Sequence, residues 1–198
     1  MGMKDFMITI GRQYGSGGKE VGRILSQKLG IPLYGKEELM EMAKGREDYE
    51  EVRVFYEEQP VNSLLYAIAM GQGENRAGEV PFQKIREICS SRPCILIGRC
   101  GSYIFRNDPS CVKIFIYAGM DKKIQWIENQ EKVSAHKARK LIEKVEEERA
   151  QFHKFYTGGN WGKVNDYDLC LDAGVTGTEK AADIILSYLE SRGFTEHG

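Results

Sequence analysis

The chain has 198 residues, 29% of them charged, and a formal net charge of −1 at pH 7. That length suits one domain with a sizeable core, and that balance gives no global electrostatic pull toward nucleic acid or an anionic membrane. No stretch reaches the ~20 apolar residues of a membrane helix, and the opening MGMKDFMITI lacks the pattern of a secretory signal. Five cysteines, an odd number with no CxxC pair, predict reduced and mostly buried thiols, and His136, His153 and His197 lack zinc-ligand spacing. The expected location is therefore the cytoplasm.

In chain order, the apolar run Phe6 to Ile10 predicts a first strand, which leads directly into GRQYGSGGKEVG, Gly11 to Gly22. Val21, Ile24, Leu25 and Leu29 then follow helical spacing, with Gly30 as the stop. A short strand is expected within Ile31 to Gly35. From residue 36 to residue 92 the rhythm breaks, which predicts an inserted, mostly helical segment with a loose loop around Gly71 to Gly78. The near-continuous runs Cys94 to Ile97 and Val112 to Ala118 predict strands covered on both faces. Asp121 is placed to cap a helix carrying Ile124 and Ile127, and Ser134 a longer one through Ala138, Leu141, Ile142 and Val145. Leu169 to Leu171 makes the last strand, and Thr178 opens a helix with Ala182, Ile185, Leu186 and Leu189 on one face. Strands alternating with helices predict an α/β fold built on a parallel sheet with right-handed crossovers.

In such a sheet, ligands sit beyond the carboxyl ends of the strands. Two glycine-rich turns carrying a cation fall there: Gly15-Ser16-Gly17-Gly18-Lys19 after the first strand, and Gly98-Arg99-Cys100-Gly101 after CILI. Glycines let successive amides turn inward, and the helix that follows aims its positive end at the same point, so the first turn is suited to phosphate. Lys19 either bridges two phosphates or is a solvated lysine at a helix start. Against GxxxxGK[ST], Gly18 and Lys19 match while Gln13 and Glu20 do not. The dinucleotide pattern GxGxxG fails at Glu20, which argues against an oxidoreductase. Glu20 either reaches Mg²⁺ beside a triphosphate or is a glutamate favoured by the helix dipole. Phe152, Phe155, Tyr156 and Trp161 either anchor the long helix in the core or stack a base, and Thr157 to Asn160 forms a turn or hinge beside them.

The segments YGSGGKEVGRILSQKLGIPLYGKEEL, CILIGRCGSYIF, VKIFIYA and EEERAQFHKFYTGGNWGKVNDYDLCLD closely resemble the cytidylate kinase-like proteins, relatives of cytidylate kinase among the P-loop nucleoside monophosphate kinases. The resemblance covers nearly the whole chain and is weakest between Lys44 and Gln83. It implies one P-loop kinase domain over residues 1–198: a three-layer α/β/α fold with a five-stranded parallel sheet, an acceptor-binding insert at 36–92 and a lid at 134–162. It implies transfer of the γ-phosphoryl group of ATP, with Mg²⁺, to a nucleoside monophosphate, CMP or dCMP being the first acceptors to consider. Carried over by position, Gly15, Ser16, Gly17, Gly18, Lys19 and Glu20 hold the ATP phosphates. Arg99, Glu146 and Arg149 bind the acceptor, and Lys19, Arg139 and Arg149 serve the transferred group. Gly35 and Glu41 stand where cytidylate kinases carry Asp and Arg. Those departures, with Gln13 and Glu20, leave open a nucleotide-binding regulatory protein that transfers nothing.

Overall fold

The computed structural model describes residues 5–45, 49–60 and 78–195. Five strands, β1 (Met7–Arg12), β2 (Leu33–Tyr34), β3 (Cys94–Ile97), β4 (Cys111–Tyr117) and β5 (Leu169–Asp172), form one sheet in the order β2-β3-β1-β4-β5. Every pairing in it is parallel. The described helices are α1 (Gly18–Leu29), α2 (Lys36–Ala43), α3 (Tyr49–Tyr56), α4 (Glu79–Ile88), α5 (Gly101–Ile104), α6 (Met120–Glu131), α7 (Ala135–Thr157), α8 (Ala173–Thr176) and α9 (Thr178–Ser191).

The strands alternate their side chains between two apolar layers, which is why they read as continuous hydrophobic runs. On one face Ile8, Ile10, Ile95, Ile97, Val112, Ile114 and Ile116 pack with residues of α1 and α9, among them Leu25 and Ile185. These β-branched side chains suit a pleated surface covered by helices. On the other face Met7, Cys94, Leu96 and Cys111 meet Phe55 of α3, Phe82 and Ile85 of α4, and Phe152 and Tyr156 of α7. Residues 36–92 are mostly helical where described, as expected. The loop anticipated around Gly71 to Gly78 lies outside the described residues except for Gly78, which precedes α4. Four of the five free cysteines are buried.

Two helix starts test the capping expectations. Ser134 does cap α7, its Oγ accepting from the Lys137 amide at 3.4 Å. Asp121 does not cap α6: the helix opens after Gly119, and Asp121 sits in its first turn, where a carboxylate still complements the dipole.

The aromatic cluster settles on packing. Phe55 lies 4.8 Å from Tyr156 and 5.4 Å from Phe152 between ring centroids, so the C-terminal part of α7 is bolted to α3. Trp161 meets Phe115 edge-on at 5.6 Å. The N-terminal part of α7 instead pairs with α6 through Ile124, Ile127, Ala138 and Ile142, a separate small core. Phe55 is fully buried, so Phe55→Ala is expected to lower stability by about 3–5 kcal/mol in chemical denaturation, the usual cost of an aromatic cavity.

Candidate active site

β1 ends at Arg12, and the chain turns through Gln13 to Gly17 before α1 begins at Gly18. Gly15 and Gly17 both take left-handed backbone conformations, φ 75° and 79°. Ser16 is buried and its hydroxyl donates to the Gln13 carbonyl at 2.8 Å. The Gln13 side-chain oxygen accepts from the Ala118 amide at 3.2 Å, tying the turn to the end of β4. No side chain caps α1. Its first amides therefore remain available to an anion.

Gly18 is required by a close approach. A Cβ built there would lie 2.5 Å from Cβ of Arg12, so only glycine lets the Arg12 side chain cross the first residue of α1. Arg12 runs on toward the turn after β3, where a Cβ on Gly98 would lie 2.4 Å from its Nη1. The sheet order makes this meeting inevitable: β1 and β3 are parallel neighbours, so their carboxyl ends emerge side by side. Ligand crevices in open parallel sheets form at such places.

At that junction Arg12, Arg99 and Arg149 converge on Glu58. Arg12 holds the Glu58 carboxylate with both terminal nitrogens, at 3.2 and 3.1 Å. The Arg99 amide donates to Glu58 Oε1 at 3.1 Å, and Arg99 Nη1 lies 3.3 Å from the same oxygen. Arg149 donates to the Arg12 carbonyl at 3.0 Å and lies over the Tyr14 ring. Burial opposes ionisation of Glu58, but the charges of Arg12, Arg99 and Arg149 outweigh it and hold its carboxyl well below the usual carboxylate range. Arg149 is pushed down to about 9, by burial first and then by repulsion from Arg12. Burial likewise lowers Arg99, which is 2% exposed and whose Nε has no partner among the described residues.

The backbone here is strained as well. Gly98, Arg99 and Cys100 all have left-handed φ, as does Glu58 at 49°. Such conformations cost non-glycine residues roughly 1–2 kcal/mol each, and strain of this kind gathers at functional sites. Cys100 is buried, which pushes its thiol well up and keeps it neutral.

Two clefts open on either side of Arg12, Lys19 and Arg149. One, of about 510 Å³, is lined by the glycine turn, Glu20, Trp126 and Gln130. The other, of about 280 Å³, is lined by Gly35, Glu37, Glu58, Arg99 and Glu148. Lys19 borders both, and its ammonium bonds Glu37 at 2.9 Å on the second side. The pair is more than half exposed, so Lys19 can be re-aimed at small cost. Its ammonium, bonded to Glu37, holds the Glu37 carboxyl below the usual range. Glu20 faces the first cleft and pairs with Arg23 at 3.2 Å.

Of the sequence-derived residues, the fold thus gathers Gly15, Ser16, Gly17, Gly18, Lys19, Glu20, Arg99 and Arg149 around one junction. It does not bring Arg139 or Glu146 there. Arg139 is exposed on α7 and lines neither cleft. Glu146 pairs with the buried Lys123 at 2.7 Å, joining α7 to α6. Arg12 and Glu58 were missed. Arg12 sat inside a glycine-rich stretch without matching a motif, and Glu58 lay among other acids with no periodicity to single it out.

A glycine turn between a central strand and a helix, set in an all-parallel sheet and faced by several cations, defines a P-loop kinase fold of the α/β class. Residues 7–174 match the model of the cytidylate kinase-like family, and the chain belongs to that family. It is 25% identical over 184 residues to a cytidylate kinase of Methanobrevibacter smithii, covering 93% of this chain and 98% of that protein. Among solved structures, an uncharacterized protein from Eubacterium ventriosum superposes with a TM-score of 0.73 at 28% identity, over 94% of this chain and 99% of the other. A shikimate kinase from Bacteroides thetaiotaomicron shares the fold, with a TM-score of 0.56 at 13% identity over 94% of this chain and 99% of that one.

Because the folded carboxyl of Glu58 is held below its unfolded value, its contribution to stability is complete above the ordinary carboxylate pKa of about 4.3. It is lost as the pH falls below that value toward the depressed one. Glu58→Gln is therefore expected to lower the unfolding midpoint at pH 7 and to flatten its fall between about pH 4.5 and 3, measured by thermal denaturation against the unaltered protein.

Proposed function

We propose that this protein transfers the γ-phosphoryl group of ATP to a nucleoside monophosphate, with CMP or dCMP as the first acceptors to test. The observation that carries this is the pair of clefts meeting at Arg12, Lys19 and Arg149, one walled by the glycine turn and the other by Arg99. Membership of the cytidylate kinase-like family supports the same reading.

On this reading the donor phosphates lie against the amides of Gly15 to Gly18 and the N-terminus of α1, with Lys19 turned from Glu37 to meet them. The acceptor phosphate lies in the second cleft against Arg99 and Arg149. Phosphoryl transfer depends chiefly on positioning and on neutralising charge, so a junction rich in guanidinium groups is what the chemistry asks for. An acceptor phosphate is itself the nucleophile and needs no side-chain base. Among the described residues no group of three or more His, Cys, Asp or Glu is arranged to hold a metal. Once turned from Arg23, Glu20, beside the glycine turn in a cleft that Glu131 also lines, would fit Mg²⁺, which takes one or two carboxylates and completes its shell with phosphate oxygens and water. Bound there, Mg²⁺ supplies charge neutralisation to the triphosphate. Movement of the α6–α7 hairpin about the anchored end of α7 would cover the junction, exclude water and carry Arg139 inward.

One observation favours the rival reading, a nucleotide-binding regulatory protein: Lys19 and Arg12 are both engaged by carboxylates rather than left open. ADP formation from ATP and Mg²⁺ with CMP, dCMP, UMP, AMP or GMP as acceptor separates the two. Acceptor-dependent ADP is expected, with kcat/KM lowered about 100-fold or more in Lys19→Ala and in Arg99→Ala, the scale seen when one charge-stabilising donor is removed. ATP that raises the melting temperature with no acceptor-dependent ADP would establish the regulatory protein instead.

A further inference from the structure

We infer that the Glu58 carboxylate is an internal stand-in for the acceptor's phosphate: it holds Arg12 and Arg99 as the structure shows them, and the arriving anion displaces it. The inference rests on the reading above only in taking phosphate as the anion of the second cleft.

Access supplies the first argument. Arg99 is 2% exposed, and Glu58 covers it from the cleft side through both the amide and Nη1 of Arg99. On the side facing Thr9, Ser102 and His153, the cavity beside Arg12, Glu58, Gly98 and Arg99 is about 30 Å³, room for roughly one or two water molecules. Arg99 borders the second cleft, but its amide and Nη1 are held there by Glu58, so an anion gains those two donors by replacing that carboxylate.

Hydrogen bonding supplies the second. Arg12 gives Glu58 its paired terminal nitrogens, the fork that matches a carboxylate or a phosphate equally well. Arg99 spends Nη1 on the Ile97 carbonyl and Nη2 on the Tyr56 carbonyl, and its Nε finds no partner among the described residues, so its demand for acceptors exceeds what Glu58 supplies. A phosphate, with three terminal oxygens, meets more of that demand than a carboxylate with two.

Charge and backbone supply the third. Arg12, Arg99 and Arg149 lie around Glu58, and Arg99 and Arg149 are lowered by burial first and further by repulsion from Arg12. With Glu58 withdrawn, the three cations face an acceptor dianion and the charge of the transferring group. Glu58 also sits at a left-handed φ of 49° just past the end of α3, so release lets that residue relax. Withdrawal places the carboxylate nearer solvent, where its ionised form is stable. Phosphate binding and the freeing of Arg12 for the transfer point are then one event.

The test is binding rather than turnover. Inorganic phosphate and CMP are titrated calorimetrically into the unaltered protein, Glu58→Gln, and Glu57→Gln as a variant that loses the same charge from the same cleft. Glu58→Gln, checked for folding by circular dichroism, is expected to bind both anions about tenfold or more tighter than the unaltered protein, and Glu57→Gln to gain much less. A crystal structure of the unaltered protein with CMP or phosphate is expected to show the anion on Arg12 and Arg99 with Glu58 out of hydrogen-bond range. That structure decides the matter if Glu58→Gln does not fold. The inference is overturned by an anion bound with the Arg12–Glu58 fork intact, by Glu58→Gln binding no tighter than Glu57→Gln, or by no binding to any of the three. ADP formation with the fork intact would keep the kinase and remove the stand-in. Displacement of Glu58 without any transfer would do the reverse.

Discussion

Two guanidinium groups, those of Arg12 and Arg99, share the part-buried carboxylate of Glu58 with Arg149 close beside them, and the layout of both clefts depends on that sharing. Without Glu58, Arg12 and Arg99 would repel each other in a place where water screens them only in part. With it, the end of α3, the end of β1 and the turn after β3 are drawn to one point. The ionised state of Glu58 is the consequence: burial alone would favour its neutral form, and the surrounding positive charge overrules burial.

The sheet explains why those groups can meet. Placing β3 between β2 and β1 sets the carboxyl ends of β1 and β3 side by side, joined by the Gly98 amide donating to the Ile10 carbonyl at 2.9 Å. Gly18 and Gly98 then clear a path for the Arg12 side chain along that seam. A larger residue at either position would put a carbon atom where Arg12 runs, so these two glycines serve the arginine as much as the backbone.

The long helix α7 combines two different attachments. Its C-terminal part is held by rings that interlock with Phe55, and its N-terminal part by a small core shared with α6 and by the Lys123–Glu146 pair. Arg149 lies between these attachments and reaches the Arg12 carbonyl, so the helix presents one cation to the junction from its fixed portion while Arg139 stays outside. That small core, four buried residues with Tyr14, Met120, Trp126, Val133 and Leu141 packed against it, is smaller than the aromatic-rich core that holds the other end of α7.

The sequence by itself determined the strands, the glycine turn and most helix limits, because each is written in short-range terms: apolar runs, helical spacing, and glycine or serine at the ends. It also determined the family, since the motifs that carry the resemblance are contiguous. Lys19, Arg99 and the glycines of the first turn were legible for the same reason, lying directly after strands whose ends must face one edge. Glu146 and Arg139 share α7 with Arg149, but which of the three faces the junction depends on how α7 is rotated against α6 and α3. Only the tertiary structure decided that, and only it revealed Arg12 and Glu58 as partners. They stand 46 residues apart, in segments with no common motif. Ion pairing at that separation is fixed by sheet order and by a shared need for charge balance in a buried place, neither of which leaves a local mark on the chain.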